Sequence, residues 1–199
     1  ENVSQNNNIN TSKEGTNKIR HEDGGPAFYS QARIGKNEKP FKMWKFRSMV
    51  VNADQMIDQL EDQNEIEGAM FKIKDDPRIT KIGHTIRKYS LDELPQLWNV
   101  LIGDMSLVGP RPPLPSEVEE YTDYDKQRLL VMPGCTGLWQ VTKRNEADFD
   151  EMVWLDIVYI NHSGILEDLK LIIKTIRGLF ILMEHIKEYI FYESLFSWV

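Results

Sequence analysis

The sequence predicts an α+β fold: a mainly helical domain carrying one small antiparallel β-hairpin and amphipathic helices suited to a membrane surface. Three observations predict it. Apolar residues recur at helical spacing in several stretches, as at Leu94, Leu97, Trp98 and Leu101, the i, i+3, i+4, i+7 pattern of one helical face. Aromatic and branched residues flank the turn-rich segment Gly35–Pro40, the mark of a hairpin. No uninterrupted apolar run reaches the length of a conventional transmembrane helix.

Composition narrows the class of function. A chain of 199 residues with 41% apolar residues can bury one domain-sized core, and its formal charge of −7 argues against a general nucleic-acid binder. The lone Cys135 rules out an intramolecular disulfide framework, and the four histidines, His21, His84, His162 and His185, lack metal-ligand spacing.

In chain order, residues 1–23 are rich in Asn, Ser, Thr and Lys and offer little to bury, which predicts a disordered tail. Turn residues Gly24, Gly25 and Pro26 then introduce the first hairpin arm, residues 27–34, and the second arm, residues 41–47, is basic through Lys42, Lys45 and Arg47. Solvated strand cations or an anion-binding face both fit that arm. A helix is expected from Val51 to about Glu65 with Ala53, Ile57 and Leu60 inward, then an irregular polar segment over residues 72–80, then a short helix from Ile82 to Lys88.

The next stretch brings two carboxylates together. Pro95 is harmless only in a first helical turn, where its missing N–H has no partner, so Asp92 and Glu93 should sit at the amino end of the helix whose buried face is Leu94, Leu97, Trp98 and Leu101. Free N–H groups and the macrodipole favour negative charge there. Ser90 and Glu93 also have capping-box spacing, so helix capping alone could account for the pair. Arg87 and Lys88 precede it directly.

Beyond the helix, Gly109, Pro110, Arg111, Pro112 and Pro113 form a rigid loop in which prolines restrict an arginine, aiming its fork at a phosphate or carboxylate with little entropy loss. Ser116 and Glu119 repeat the capping spacing at the start of a helix that turns Val118, Tyr121 and Leu129 or Leu130 to the core, and Pro133 and Gly134 stop it. Residues 137–142 read as a short strand or extended loop, followed by Lys143 and Arg144. The following helix should bury Phe149, Met152, Val153, Ile157 and Ile160. From Ile165 a stripe of Ile165, Leu169, Ile172, Ile173, Ile176, Leu179 and Phe180, with Lys170, Lys174 and Arg177 beside it, suits either a core or a membrane interface. Aromatic residues 191–198 suit packing on the domain, on a second copy or on lipid headgroups.

Taken together, Gly25-Pro26-Ala27-Phe28-Tyr29, Lys45-Phe46-Arg47-Ser48-Met49, Asp76-Pro77-Arg78-Ile79-Thr80, Ser90-Leu91-Asp92-Glu93-Leu94-Pro95-Gln96, Gly109-Pro110-Arg111-Pro112 and Gly137-Leu138-Trp139-Gln140-Val141 resemble, in order, the motifs of the bacterial sugar transferase family, the monotopic phosphoglycosyl transferases. The resemblance implies a catalytic domain at residues 24–180, followed by an aromatic helix or tail at 181–199. It implies transfer of a sugar 1-phosphate from a UDP-sugar to undecaprenyl phosphate or a similar polyprenyl phosphate, with release of UMP, as a first step of capsule or exopolysaccharide synthesis. Position for position, Asp92 would be the nucleophile that takes the phosphosugar covalently and Glu93 its partner, the two also holding Mg2+. Lys45, Arg47, Arg87, Arg111 and Arg144 would bind substrate phosphates, and Pro110, Pro112 and Gln140 would line the substrate pocket.

The implied location is the cytoplasmic face of the bacterial cell membrane, as a peripheral or monotopic protein, and a homo-oligomer stays open. Two departures stand out. The family normally carries an apolar re-entrant helix before the Gly-Pro-x-Phe-Tyr motif, where this chain has its polar tail, so the expectation is peripheral attachment or a truncated piece. Lys143 also stands where relatives commonly have glycine before Arg144. The competing expectation is a truncated, non-catalytic domain that binds a nucleotide sugar or serves as an assembly partner.

Overall fold

Turn chemistry sets the first reversal of the chain. Gly35 and Pro40 bracket a single 3₁₀ turn, Lys36–Glu38, between β1 (Phe28–Ile34) and β2 (Pro40–Phe46), which pair antiparallel as a two-stranded sheet. Asn37 and Glu38 adopt positive φ of 56° and 61° there; asparagine accepts that conformation readily and glutamate does not. The computed structural model describes residues 16–60, 73, 75–143 and 147–179. These fall into two compact units, one built from the chain up to Ala32 with Lys42–Asn99, the other from Arg33–Phe41 with the chain from Val100 onward.

In the first unit the chain is already helical over residues 16–23, part of what the composition predicts as a tail. The correction has two causes. Ile19 is buried with Ala27 and Ile86 under Phe46 and Ile82, and Asp23 is held by Arg47. Residues 1–15 and 180–199 lie outside the described residues. After β2, a 3₁₀ turn at Ala53–Met56 runs into a helical turn at Ile57–Leu60, with Ala53 and Leu60 buried as expected; the rest of the predicted helix lies outside the described residues.

Helix α1 (Lys81–Lys88) starts where Thr80 caps it, its Oγ1 accepting from the Gly83 N–H at 3.0 Å. A Cβ on Gly83 would meet the Ser48 carbonyl oxygen at 2.0 Å, so glycine lets this helix approach the segment that follows β2.

Helix α2 (Gln96–Ile102) reverses an expectation. Its buried residues are polar, Gln96 and Asn99, whereas Leu94 and Leu97 are about half exposed, Trp98 is 57% exposed and Leu101 78% exposed. Asn99, at 0% exposure, decides the orientation: its Oδ1 accepts from the Trp44 N–H at 3.0 Å and its Nδ2 donates to the Lys42 carbonyl at 2.8 Å. One amide thereby satisfies the backbone of β2, which an apolar side chain at this position could not do.

The second unit is organised on a parallel pair that periodicity does not reveal, β3 (Ser106–Val108) beside β4 (Gly134–Thr136), with Ser106 opposite Gly134 and Val108 opposite Thr136. Between them come α3 (Pro115–Glu119) and a 3₁₀ stretch at Asp125–Leu130. Glu117, not Glu119, closes the start of α3, accepting from the Leu114 N–H at 2.7 Å.

Residues Leu138–Thr142 form a short helix, α4, rather than the strand or extended loop expected, and α5 (Phe149–His162) is capped by Asp148. Met152 and Val153 are buried as predicted, but Asp156 and Tyr159 complete the inward face. A further helix spans 165–179. Its Leu171 is fully buried in a cluster with Val108 and Tyr159, while Ile165, Leu166, Leu169, Ile173 and Ile176 are exposed, so most of the expected apolar stripe does not face this core. Among the described residues no helix is long and apolar enough to cross a membrane.

Candidate functional site

The acidic pair sits in a 3₁₀ turn, Leu91–Glu93, one step before α2 rather than inside its first turn. Ser90 leads into it with a left-handed backbone, φ 54° and ψ 23°, and its side chain caps nothing, so the capping-box reading of Ser90 and Glu93 is not what the fold uses. A serine at positive φ is strained, and such strain is tolerated where surrounding contacts fix the backbone. Here the Ser90 N–H donates to the Arg87 carbonyl at 3.0 Å, and the Ser90 carbonyl accepts from the Glu93 N–H at 3.3 Å.

The two carboxylates have different surroundings. Asp92 is buried, 7% exposed, whereas Glu93 is partly open. Burial pushes the Asp92 carboxyl above its ordinary value; Lys45 pulls it down, Glu93 pushes it up and Arg87 pulls it down. Lys45, on β2, donates to Glu93 Oε1 at 3.0 Å. Arg87, on α1, donates from Nε to Ser48 Oγ at 2.8 Å. Thus β2, α1 and the Leu91–Glu93 turn gather a buried carboxylate, a second carboxylate and two cations within the first unit.

Arg47 behaves otherwise. Expected among the phosphate ligands, it is 6% exposed and has all its N–H donors engaged: Nε to the Pro26 carbonyl at 2.6 Å, Nη1 to Asp23 Oδ2 at 2.5 Å and the Met49 carbonyl at 3.0 Å, Nη2 to Asp23 Oδ1 at 2.6 Å and the Ile19 carbonyl at 3.2 Å. A guanidinium has five such donors, so this one is a clamp on the N-terminal helix. Gly25 is part of the same fit, since a Cβ there would lie 3.0 Å from the Arg47 guanidinium carbon. The Asp76-Pro77-Arg78 motif closes on itself, with Arg78 bidentate to Asp76 at 2.9 and 2.6 Å.

The remaining expected residues belong to the second unit. Arg111 is half-buried in its loop, and Pro110 and Pro112 are buried beneath it. Gly109 and Gly134 meet so closely that a Cβ on Gly134 would lie 2.1 Å from the Gly109 nitrogen, which explains the glycines of this motif. Gln140 presents Oε1 as a buried acceptor with no hydrogen-bond partner among the described residues. Arg144 lies outside the described residues.

Sequence reasoning missed Arg33 and Arg128, each 5% exposed and each bonded to this loop. Nothing in their local sequence separates them from solvated cations. Among the described residues no cluster of three or more His, Cys, Asp or Glu side chains forms a metal cage. Magnesium needs none, because it is commonly held by one or two carboxylates with phosphate oxygens and water completing its shell. Adjacent Asp92 and Glu93 suit that donor set.

The model of the bacterial sugar transferase family matches residues 16–181. Over 156 residues the chain is 55% identical to a galactosyl transferase, CpsE, of Streptococcus agalactiae, covering 78% of this chain and 35% of that protein. It is 48% identical over 157 residues to the undecaprenyl-phosphate galactose phosphotransferase of Salmonella typhimurium, covering 77% and 33%. The exopolysaccharide production protein ExoY of Sinorhizobium fredii is 41% identical over 162 residues, covering 79% and 72%. The chain therefore spans about a third of the length of the first two relatives. With the motifs in order and the match running from the N-terminal helix through the last described one, this chain belongs to the bacterial sugar transferase family.

Proposed function

We propose that the chain transfers a sugar 1-phosphate from a UDP-sugar to a polyprenyl phosphate, undecaprenyl phosphate in particular, and releases UMP. The observation that carries this reading is Asp92: a carboxylate withdrawn from water, flanked by the field of Lys45 and Arg87, on a turn of strained backbone. Desolvation makes a carboxylate a better nucleophile, and neighbouring cations offset the repulsion an anionic diphosphate would otherwise meet. The relatives' names, which include an undecaprenyl-phosphate galactose phosphotransferase, support the reaction class.

In this reading an Asp92 oxygen attacks the sugar-bearing phosphorus of the donor, and the bond from that phosphorus to the oxygen of the uridine-bearing phosphate breaks. UMP leaves, and an acyl phosphate joins Asp92 to the sugar phosphate. A polyprenyl phosphate oxygen then attacks the same phosphorus, breaking its bond to Asp92 and restoring the carboxylate. Lys45 and Arg87 hold and neutralise the donor phosphates, and the motif resemblance assigns Arg111, within the second unit, a phosphate-ligand role of its own. Mg2+ held by Asp92 and Glu93 would add charge neutralisation for the diphosphate. Arg47 is left out of this set because its donors are already engaged.

A place at the lipid surface is part of the proposal, because the acceptor is a lipid. Its support is the exposed apolar residues of both units, Leu94, Leu97 and Trp98 in the first and Ile165, Leu169 and Ile173 in the second.

The test is to identify the nucleotide product. Incubation with UDP-galactose, undecaprenyl phosphate in detergent and magnesium should yield UMP, and without lipid acceptor it should leave a phosphosugar on Asp92 detectable by peptide mass spectrometry. Asp92→Asn should reduce turnover on the order of 10³-fold or more. Release of UDP, or undiminished turnover in Asp92→Asn, overturns the mechanism; nucleotide-sugar binding with no turnover across a panel of UDP-sugars would favour a binding domain instead.

A further inference from the structure

The loop carrying Arg111 is held at every carbonyl from Pro110 to Pro113. The Pro110 oxygen accepts from the Gly134 N–H at 2.9 Å, the Arg111 oxygen from Arg128 Nη2 at 3.4 Å, the Pro112 oxygen from Arg33 Nη1 at 3.0 Å, and the Pro113 oxygen from the Ile34 N–H at 2.9 Å. Loops usually leave such groups to water. Here two of the four donors are guanidinium groups on residues 5% exposed, and burying a charge is strongly unfavourable unless it is paired.

Arg128 is paired. Its Nη2 also donates to Asp156 Oδ2, on a residue of 0% exposure; its Nη1 donates to Tyr121 Oη at 3.0 Å, and the guanidinium lies 5.9 Å from the centre of the Tyr121 ring. One planar fork thus links α5, the end of α3 and the loop. Three of the four loop residues are prolines, stiff and without N–H groups, so the loop's charged feature is the Arg111 side chain. The Arg111 charge also bears on Asp156 and Tyr121.

We propose that Arg128 and Asp156 are positioning residues for Arg111. Asp156 neutralises and orients the Arg128 fork, and Arg128 fixes the Arg111 backbone so that its side chain meets a donor phosphate already ordered. This rests on the reading of Arg111 as a ligand of the donor diphosphate. The ordering entropy of a loop is lost on folding instead of on binding, so the contribution shows in affinity.

The experiment titrates UDP, with magnesium, into the 199-residue chain by calorimetry, with melting temperatures measured in parallel. Arg111→Ala should weaken UDP binding. Arg128→Lys keeps the charge beside Asp156 but cannot reach Asp156, Tyr121 and the loop at once, and should raise the Kd about tenfold, within the range for coupled neighbours. The double variant should bind no more weakly than Arg111→Ala alone, because Arg128 acts through Arg111. Should Arg128→Lys not fold, Asp156→Asn carries the same expectation.

A lowered melting temperature with unchanged Kd, or penalties that add in the double variant, overturns the positioning role while leaving Arg111 as a ligand. Unchanged UDP binding in Arg111→Ala, or no binding by the unaltered chain, overturns the ligand reading and the positioning role with it.

Discussion

Asp92 and Arg47 show how little residue type says about role without surroundings. Both lie in motifs, both are charged and both are buried, yet Asp92 stands in a field of mixed sign and Arg47 has every donor bonded within the fold. Two predictions separate them. Because burial raises the Asp92 carboxyl and Lys45 lowers it, the acid limb of the turnover profile should lie above the ordinary carboxylate value, and Lys45→Met should move that limb to still higher pH. A limb that moves to lower pH, or not at all, removes Lys45 from the neighbourhood of the reacting group. Arg47→Ala should instead cost about 3 kcal/mol of stability, because it strands Asp23 and three carbonyls, and should leave the apparent KM of the remaining folded protein unchanged. Denaturant melts with kinetics on the folded fraction check this. The adjacent acids, the basic arm and the Pro-Arg-Pro loop were legible in the sequence. Which arginines are already committed was not, since most of their acceptors lie distant along the chain.

Among the elements, α2 carries the largest reversal. Its spacing is amphipathic, as expected, but the face that packs is the polar one, because Asn99 completes the hydrogen bonding of β2. Asn99→Leu, which keeps the branched shape but is bulkier and apolar, should destabilise by about 2 kcal/mol or more by leaving those two backbone groups unpaired. Trp98→Ser, on the opposite face, should change stability by less than about 0.5 kcal/mol. The same Trp98→Ser substitution should reduce cosedimentation with phosphatidylcholine vesicles, and unaltered cosedimentation would remove α2 from the proposed lipid contact. Gly83→Ala places a methyl against the Ser48 carbonyl and should cost about 2 kcal/mol, measured by urea unfolding.

For the whole molecule, the titrating carboxylates give a pH dependence of stability with two signs. Arg47 holds Asp23 below its ordinary value; for Asp76 burial pushes up, but the bonds from Arg78 prevail and its value is also lowered. Groups lowered on folding contribute stability above their unfolded value near 3.8, and that stability is lost as pH falls below it through the lowered folded value. Asp156 is the opposite case, pushed up to about 6 by burial against the pull of Arg128. The folded state then binds its proton before the unfolded state does, so this group makes the protein more stable as pH falls from about 6 toward 3.8. Thermal melts should therefore show stability rising slightly below pH 6 and dropping below pH 4, and Asp156→Asn should abolish the rise alone.

By itself the sequence determined the local grammar of this protein: a hairpin around Gly35–Pro40, helices near residues 81–88 and 149–162, two adjacent carboxylates at a helix entrance, and a proline-held arginine. These follow from turn chemistry and periodicity, which act over a few residues. Only the tertiary structure decided that β3 pairs with β4, that α2 packs by Asn99 instead of Leu97, and that Arg33, Arg47 and Arg128 are internal braces. Each of those outcomes depends on buried polar groups finding partners far along the chain, and no local pattern records where such partners will be.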